Sequence, residues 1–236
     1  MGFKKLVAPS LTDLFVNELK RMILSGDLQI GDKLPPERQL AEEMNVSLAV
    51  IHGGITRLTD LGFLNAVPRQ GVFVSDYIRN GNMNTMKEIM EYTDDNLSFD
   101  ILEPIINFRR SIELKATLLA CENGTEESFV ILSDLVRRAE DPEQSEHLPE
   151  IGFQFHHEIA VAGKNIYYPM IMQTFKPLYI LFYQMTIEAE PQAKFAEPLT
   201  LLLSAIKKKD TKDAALLINK SIDHWIDILA KNYPAG

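Results

Sequence analysis

Apolar residues recur at helical spacing through most of the chain, and the one exception lies near the start. From Ser10 to Leu24 the stripe Leu11, Leu14, Phe15, Leu19, Met22 and Ile23 predicts an amphipathic helix. Ser10 can cap it, with Asp13 three residues on, and Gly26 closes it. A second helix starts at Pro36 and turns Leu40, Ala41 and Met44 inward. A tight turn at Asn45-Val46 leads to Ser47, the cap of a third helix that buries Ile51, Ile55 and Leu58 and stops at Gly62. The pattern then changes. LNAV and VFVS read as two short strands around Pro68-Arg69-Gln70-Gly71.

Three short helices followed by a β-hairpin predict a winged helix-turn-helix over residues 1–76. The polar stretch 77–85 reads as a linker. After it every periodic segment is helical, at about 84–93, 99–122, 125–140, 148–163, 165–188, 192–208 and 211–231. Pro169, Pro177 and Pro198 should bend or interrupt their helices. The expected fold is therefore mainly α: a winged helix-turn-helix with a small β-hairpin wing, then an all-helical bundle of six or seven helices over 86–236.

Charge sharpens this division. The chain carries a net charge of -9, but residues 1–76 contribute only -1 of it. A near-neutral first part can bind DNA if its cations share a face. The single cysteine, Cys121, excludes an internal disulfide and fits a reducing cytoplasm. No apolar run approaches a membrane span and no signal peptide opens the chain, so no membrane partner is expected. There is no glycine-rich phosphate loop, nucleophile elbow or metal-ligand set, so no enzymatic activity and no catalytic residue is expected.

The segment ILSGDLQIGDKLPPERQLAEEMNVS together with GFLNAVPRQGVFV resembles the DNA-binding domain of the GntR family. FRRSIELKATLLA and FHHEIAVAGKN resemble two helices of the effector domain of its FadR subfamily, and the resemblance covers nearly the whole chain. It implies a transcription regulator that binds double-stranded operator DNA as a homodimer and answers to a small effector. The runner-up is a ligand-binding or interaction module that kept the winged fold and lost specific DNA binding.

The third helix departs from the family pattern. Leu48, His52 and Gly53 stand where Arg, Arg and Glu are usual. The expected DNA-facing residues are Arg38, Ser47, Ala49, His52, Thr56, Arg57, Arg69 and Gly71. Arg38, Arg57 and Arg69 would take phosphates, and His52 could bond a guanine edge.

In the helix at 99–122 the face Ile101, Ile105, Ile112, Ala116 and Leu119 has Arg109 in its middle. A buried guanidinium must meet an anion. Two sources stay open: an internal salt bridge, for instance to a Glu of a neighbouring helix, or an acidic ligand in a cavity, and the resemblance favours the ligand. Ser221 falls among Ala214, Ile218, Trp225 and Leu229 on the last helix, as a pocket wall or bonded to its own preceding turn. The expected effector residues are Arg109, His156, Tyr179, Ser221 and Trp225. The resemblance admits a carboxylate or acyl compound as effector. Many relatives hold a metal through one Asp and three His. Here those positions read Gly152, His156, Leu199 and Ser221, so no metal and no cofactor is expected.

Overall fold

The structure, a computed structural model, describes residues 9–95, 99–189 and 194–232. The chain divides into two compact units, Met1–Asp95 and Asn96–Gly236.

In the first unit, α1 (Leu11–Leu24), α2 (Glu37–Glu43) and α3 (Leu48–Asp60) precede the antiparallel strands β1 (Leu64–Val67) and β2 (Gly71–Val74). Helices α1 and α3 start at the expected serine caps, while α2 begins after Pro36 with no side-chain cap. The Ser10 hydroxyl accepts from the Asp13 amide and the Asp13 carboxylate reaches back to the Ser10 amide. Ser47 accepts from the Val50 amide at the start of α3. Asn45 takes the left-handed conformation (φ 52°) that the turn between α2 and α3 requires. Phe15, Val16, Leu19, Ile23, Ile51, Ile55, Leu58, Phe63 and Val74 form the core. The α1 stripe is narrower than the pattern predicted, since Leu11 and Leu14 are exposed.

The wing is a short hairpin with Leu64 paired to Val74 and Val67 to Gly71. Arg69 and Gly71 both have positive φ at its tip, 63° and 120°. The Leu34 amide donates to the Val72 carbonyl, which ties the segment before α2 to the outer strand. Where a linker was expected, the chain forms α4 (Tyr77–Asn80) and the start of α5 (Met83–Asp95). Asp76 caps the first, and the Thr85 hydroxyl donates to the Leu61 carbonyl.

The second unit consists, among the described residues, of α6 (Phe99–Asn123), α7 (Glu126–Glu140), a 3-10 turn (Pro142–His147), α8 (Leu148–Ala162), α9 (Tyr167–Thr174), α10 (Lys176–Ala189), α11 (Ala196–Lys207) and α12 (Thr211–Asn232). Of the three prolines expected to bend or interrupt helices, Pro177 follows a break: the helix expected over 165–188 is interrupted at Phe175, and Pro177 sits in the first turn of the new one, whereas Pro169 and Pro198 sit in the first turns of α9 and α11. Helix α6 packs on α8 and α12. Its buried face is turned from the predicted one: Leu102, Ile106, Arg109, Glu113, Ala116, Thr117 and Ala120 are inside, while Ile105, Ile112 and Leu119 are half-buried. The side chain of Ile101 lies outside the described ones. Glu113 and Thr117 share the inner face with Arg109, and being polar they leave no mark in the apolar spacing.

Candidate functional site

Two places carry chemistry, one in each unit. On the winged unit, α3 turns Ser47, Leu48, Ala49, His52, Gly53, Thr56 and Arg57 outward. Arg38 on α2 and Arg69 at the wing tip are also exposed. Arg57 is held by Asp13 of α1 at 2.6 Å, a carboxylate already bonded to Ser10. Those partners keep the Asp13 carboxyl below its ordinary range, the Ser10 hydroxyl bond first and the Arg57 bond next. Asp13 occupies Nη1 alone, so the other guanidinium N–H groups of the exposed Arg57 stay open to a phosphate. His52 Nδ1 lies 3.3 Å from Glu37 Oε1. Thr56 donates its hydroxyl to the His52 carbonyl, one turn back. Gly71 allows the tight wing tip, where an added Cβ would sit 2.9 Å from Lys33 Cε.

In the second unit the anion that Arg109 requires comes from the protein itself. Glu113, one turn on in α6, accepts from Arg109 Nε, and both side chains are at most 3% exposed. Of the two sources left open by the sequence, the internal salt bridge is the one formed, to a Glu of the same helix at the i,i+4 spacing where opposite charges meet. Tyr179 donates its hydroxyl to the same Glu113 oxygen. The guanidinium lies between two rings, 3.7 Å from the Tyr179 centroid and 4.1 Å from that of Trp225. Among the described residues, Arg109 Nη1 and Nη2, Glu113 Oε2 and Thr117 Oγ1 meet no hydrogen-bond partner in good geometry.

Charge states follow from this packing. Burial pushes the Glu113 carboxyl up, but Arg109, His156 and the Tyr179 hydroxyl together hold it below the usual carboxylate range. Burial pushes the His156 imidazole below its ordinary value; Glu113 pulls it back up and Arg109 presses it further down. His156 is therefore neutral near pH 7. Its Nδ1 lies 3.3 Å from Glu113 Oε2. That approach is an electrostatic contact and not a hydrogen bond; with the proton on Nδ1, where it faces the carboxylate, Nε2 is an acceptor.

A cavity of about 330 Å³ opens beside this cluster. Phe195, Leu199, Leu202, Leu217, Tyr183 and Trp225 give it an apolar lining, while His156, Ser221 and the exposed Lys194 and Lys220 bring polar groups to it. Of the expected effector residues, His156, Ser221 and Trp225 line this cavity. Arg109 and Tyr179 do not, although the guanidinium stacks on Trp225. The sequence reading missed Phe195, Leu202, Leu217 and both lysines. No spacing rule could have found them, because the cavity is left where α8, α10, α11 and α12 fail to close.

The metal set of FadR-type relatives does not fit here. A Cβ on Gly152 would lie 2.6 Å from the Tyr183 ring, so Tyr183 occupies the space an acid would need. Leu199 is buried and has no donor atom. Among the described residues no group of three His, Cys, Asp or Glu converges. The only imidazole at the four positions, His156, faces a carboxylate of the protein.

Comparison with known proteins bears on both units. Residues 13–74 match the model of the bacterial regulatory proteins of the gntR family, and residues 104–224, more than half of the chain, match the FCD domain. An uncharacterized HTH-type transcriptional regulator of Bacillus subtilis, YcbG, is 28% identical over 66% of this chain and 63% of its own. A fatty acid metabolism regulator protein of Shewanella pealeana is 26% identical over 67% of this chain and 65% of its own. The alignments thus span a little under two thirds of these relatives. The solved structure of Lar, which controls expression of the Listeria monocytogenes agr system, superposes with a TM-score of 0.62 at 16% identity, over 96% of this chain and 100% of that one. At that identity the likeness is one of fold. No described helix is long and apolar enough to cross a membrane.

Proposed function

Because the chain belongs to the GntR family, with an FCD domain behind its winged helix, we propose that it is a transcription regulator whose binding to double-stranded operator DNA is controlled by a small acidic, partly apolar effector in the second unit. The cavity of about 330 Å³ is the observation that carries the effector half of this reading. Its volume lies in the range of small-molecule sites, and its lining is mostly apolar with a few polar groups.

The lining states what the effector should be. An apolar body packs on Leu199, Leu202, Leu217 and Trp225. An acid group meets Lys194 or Lys220. A hydroxyl or amide of the ligand donates to His156 Nε2, and Ser221 offers a second hydrogen bond. Arg109 and Tyr179 act from behind the wall: the guanidinium braces Trp225 in place by stacking. No metal takes part in this reading, since the Gly152 position is closed by Tyr183.

Trp225 is the chain's single tryptophan, so its emission reports on the cavity wall. Titration with straight-chain carboxylates from hexanoate to dodecanoate should shift that emission with saturation and change affinity for DNA. Ser221→Phe, which fills the cavity, should abolish both responses and keep DNA binding. A flat titration across the series would contradict the acidic, apolar effector.

A further inference from the structure

Helix α3 has two adjacent glycines, and the structure accounts for only one. A Cβ on Gly54 would lie 2.2 Å from Phe15 Cδ1 and 2.6 Å from Cε1, so Gly54 is required by the core. A Cβ on Gly53 would meet only Thr12 Cγ2, at an ordinary 3.8 Å. Gly53 is exposed, lies inside a continuous helix from Leu48 to Asp60, and costs helix propensity without any internal steric need. Leu48, at 44% exposure, Ala49 and Thr56 on the same exposed face are also uncharged, and the one cation there, Arg57, is paired with Asp13. Flanking cations lie elsewhere, on Arg38 of α2 and Arg69 of the wing.

We propose that this face reads A·T base pairs in the major groove through thymine methyl groups, with Gly53 as the point where the helix comes closest to the DNA. The proposal rests on the reading of the first unit as DNA-binding. In a helix-turn-helix, the N-terminal part of the second helix faces the base edges, and that is where Leu48, Ala49, His52 and Gly53 stand. The C5 methyl of thymine is the apolar feature of the major groove, and it is met by apolar side chains such as alanine. A residue without a side chain at position 53 removes the atoms that would hold the helix off. His52 fits the same base pair. Its Nδ1 lies 3.3 Å from Glu37 Oε1, and in the tautomer with the proton on that nitrogen Nε2 accepts from the N6 amino group of adenine. The guanine contact expected from the sequence would need a donor at that nitrogen. Arg38 and Arg69 supply phosphate contacts, which fix register without reading sequence.

The test uses the full chain and a duplex enriched by it from a random pool. Deoxyuridine is then placed at each thymine of the enriched core, which deletes only the methyl group. Affinity should fall about tenfold at one or more positions. Replacement of guanines by 7-deazaguanine should have little effect. Gly53→Ala should weaken binding by a similar factor while raising the melting temperature of the free protein. Unchanged affinity on every uridine duplex, or a Gly53→Ala protein that binds as well as the parent, would overturn the proposal with DNA binding itself intact. Failure to enrich any duplex would overturn the DNA-binding reading and this proposal with it.

Discussion

Arg109 shows how far a single residue can be read from sequence. Its place on an inward face was legible, and so was its need for an anion. The identity of that anion was not, because Glu113 sits in a helix rich in charge and interrupts the apolar pattern instead of contributing to it. The i,i+4 spacing to Arg109 was the available signal. Once Glu113 is the partner, the consequences of substitution change. Removal of one member of a buried pair leaves an uncompensated charge, so Arg109→Met should cost about 3–5 kcal/mol. Arg109→Met with Glu113→Gln keeps an acceptor for the Tyr179 hydroxyl and should recover roughly 2 kcal/mol of that loss. Denaturant unfolding of the two single variants and the double variant measures the coupling; additive losses would contradict a tight pair. The cluster also sets a pH dependence. The folded-state values of Glu113 and His156 are both lowered, so the unfolded chain binds more protons as pH falls. Stability is then full above the ordinary histidine value of 6.5 and declines below it, with the Glu113 contribution joining below about 4.5. His156→Gln should flatten the upper part of that decline. Some slope should remain, since burial lowers His157 as well. A melting temperature that stayed constant from pH 7 to 5, a range about ordinary histidine titration, would contradict the buried neutral imidazole.

At the scale of elements, caps and stops were the most legible features. Ser10, Ser47 and Gly62 place the ends of α1 and α3 because each satisfies a specific backbone need. The Gly53-Gly54 pair was ambiguous in sequence, since propensity alone gives both residues the same cost. Packing separates them. Gly54→Ala drives a methyl into the Phe15 ring and should destabilise by about 1–3 kcal/mol. Gly53→Ala meets no obstruction and should stabilise by up to about 1 kcal/mol. Thermal melts should therefore move in opposite directions for two substitutions one residue apart. Shifts of the same sign would mean that α3 is not packed on α1 through Phe15. The phosphate contacts belong to this scale too. Arg38 is exposed on α2, so Arg38→Ala should weaken binding about equally to all duplexes and reduce the salt slope by about 1.

For the whole molecule, the order of helices and wing was readable because periodicity reports local structure directly. The cavity was not readable, because an unfilled space depends on how α8, α10, α11 and α12 meet and leaves no periodic trace. His156, Ser221 and Trp225 were within reach only through their odd placement on apolar faces and the family resemblance. We also propose that the chain forms a homodimer held mainly by residues after 80, since a palindromic operator mirrors a two-fold protein. Light scattering at micromolar concentration should give twice the chain mass of 26.8 kDa, and a monomer would contradict it. The central claim, sequence-specific DNA binding by the winged unit, is tested most directly by titrating the full chain against its best duplex from a random pool and against the unselected pool, across a salt series. The account predicts an enriched duplex that binds at least about a thousandfold more tightly than the pool, with affinity falling steeply as salt rises. Equal affinity for both would contradict it and leave a ligand-binding module in a winged frame.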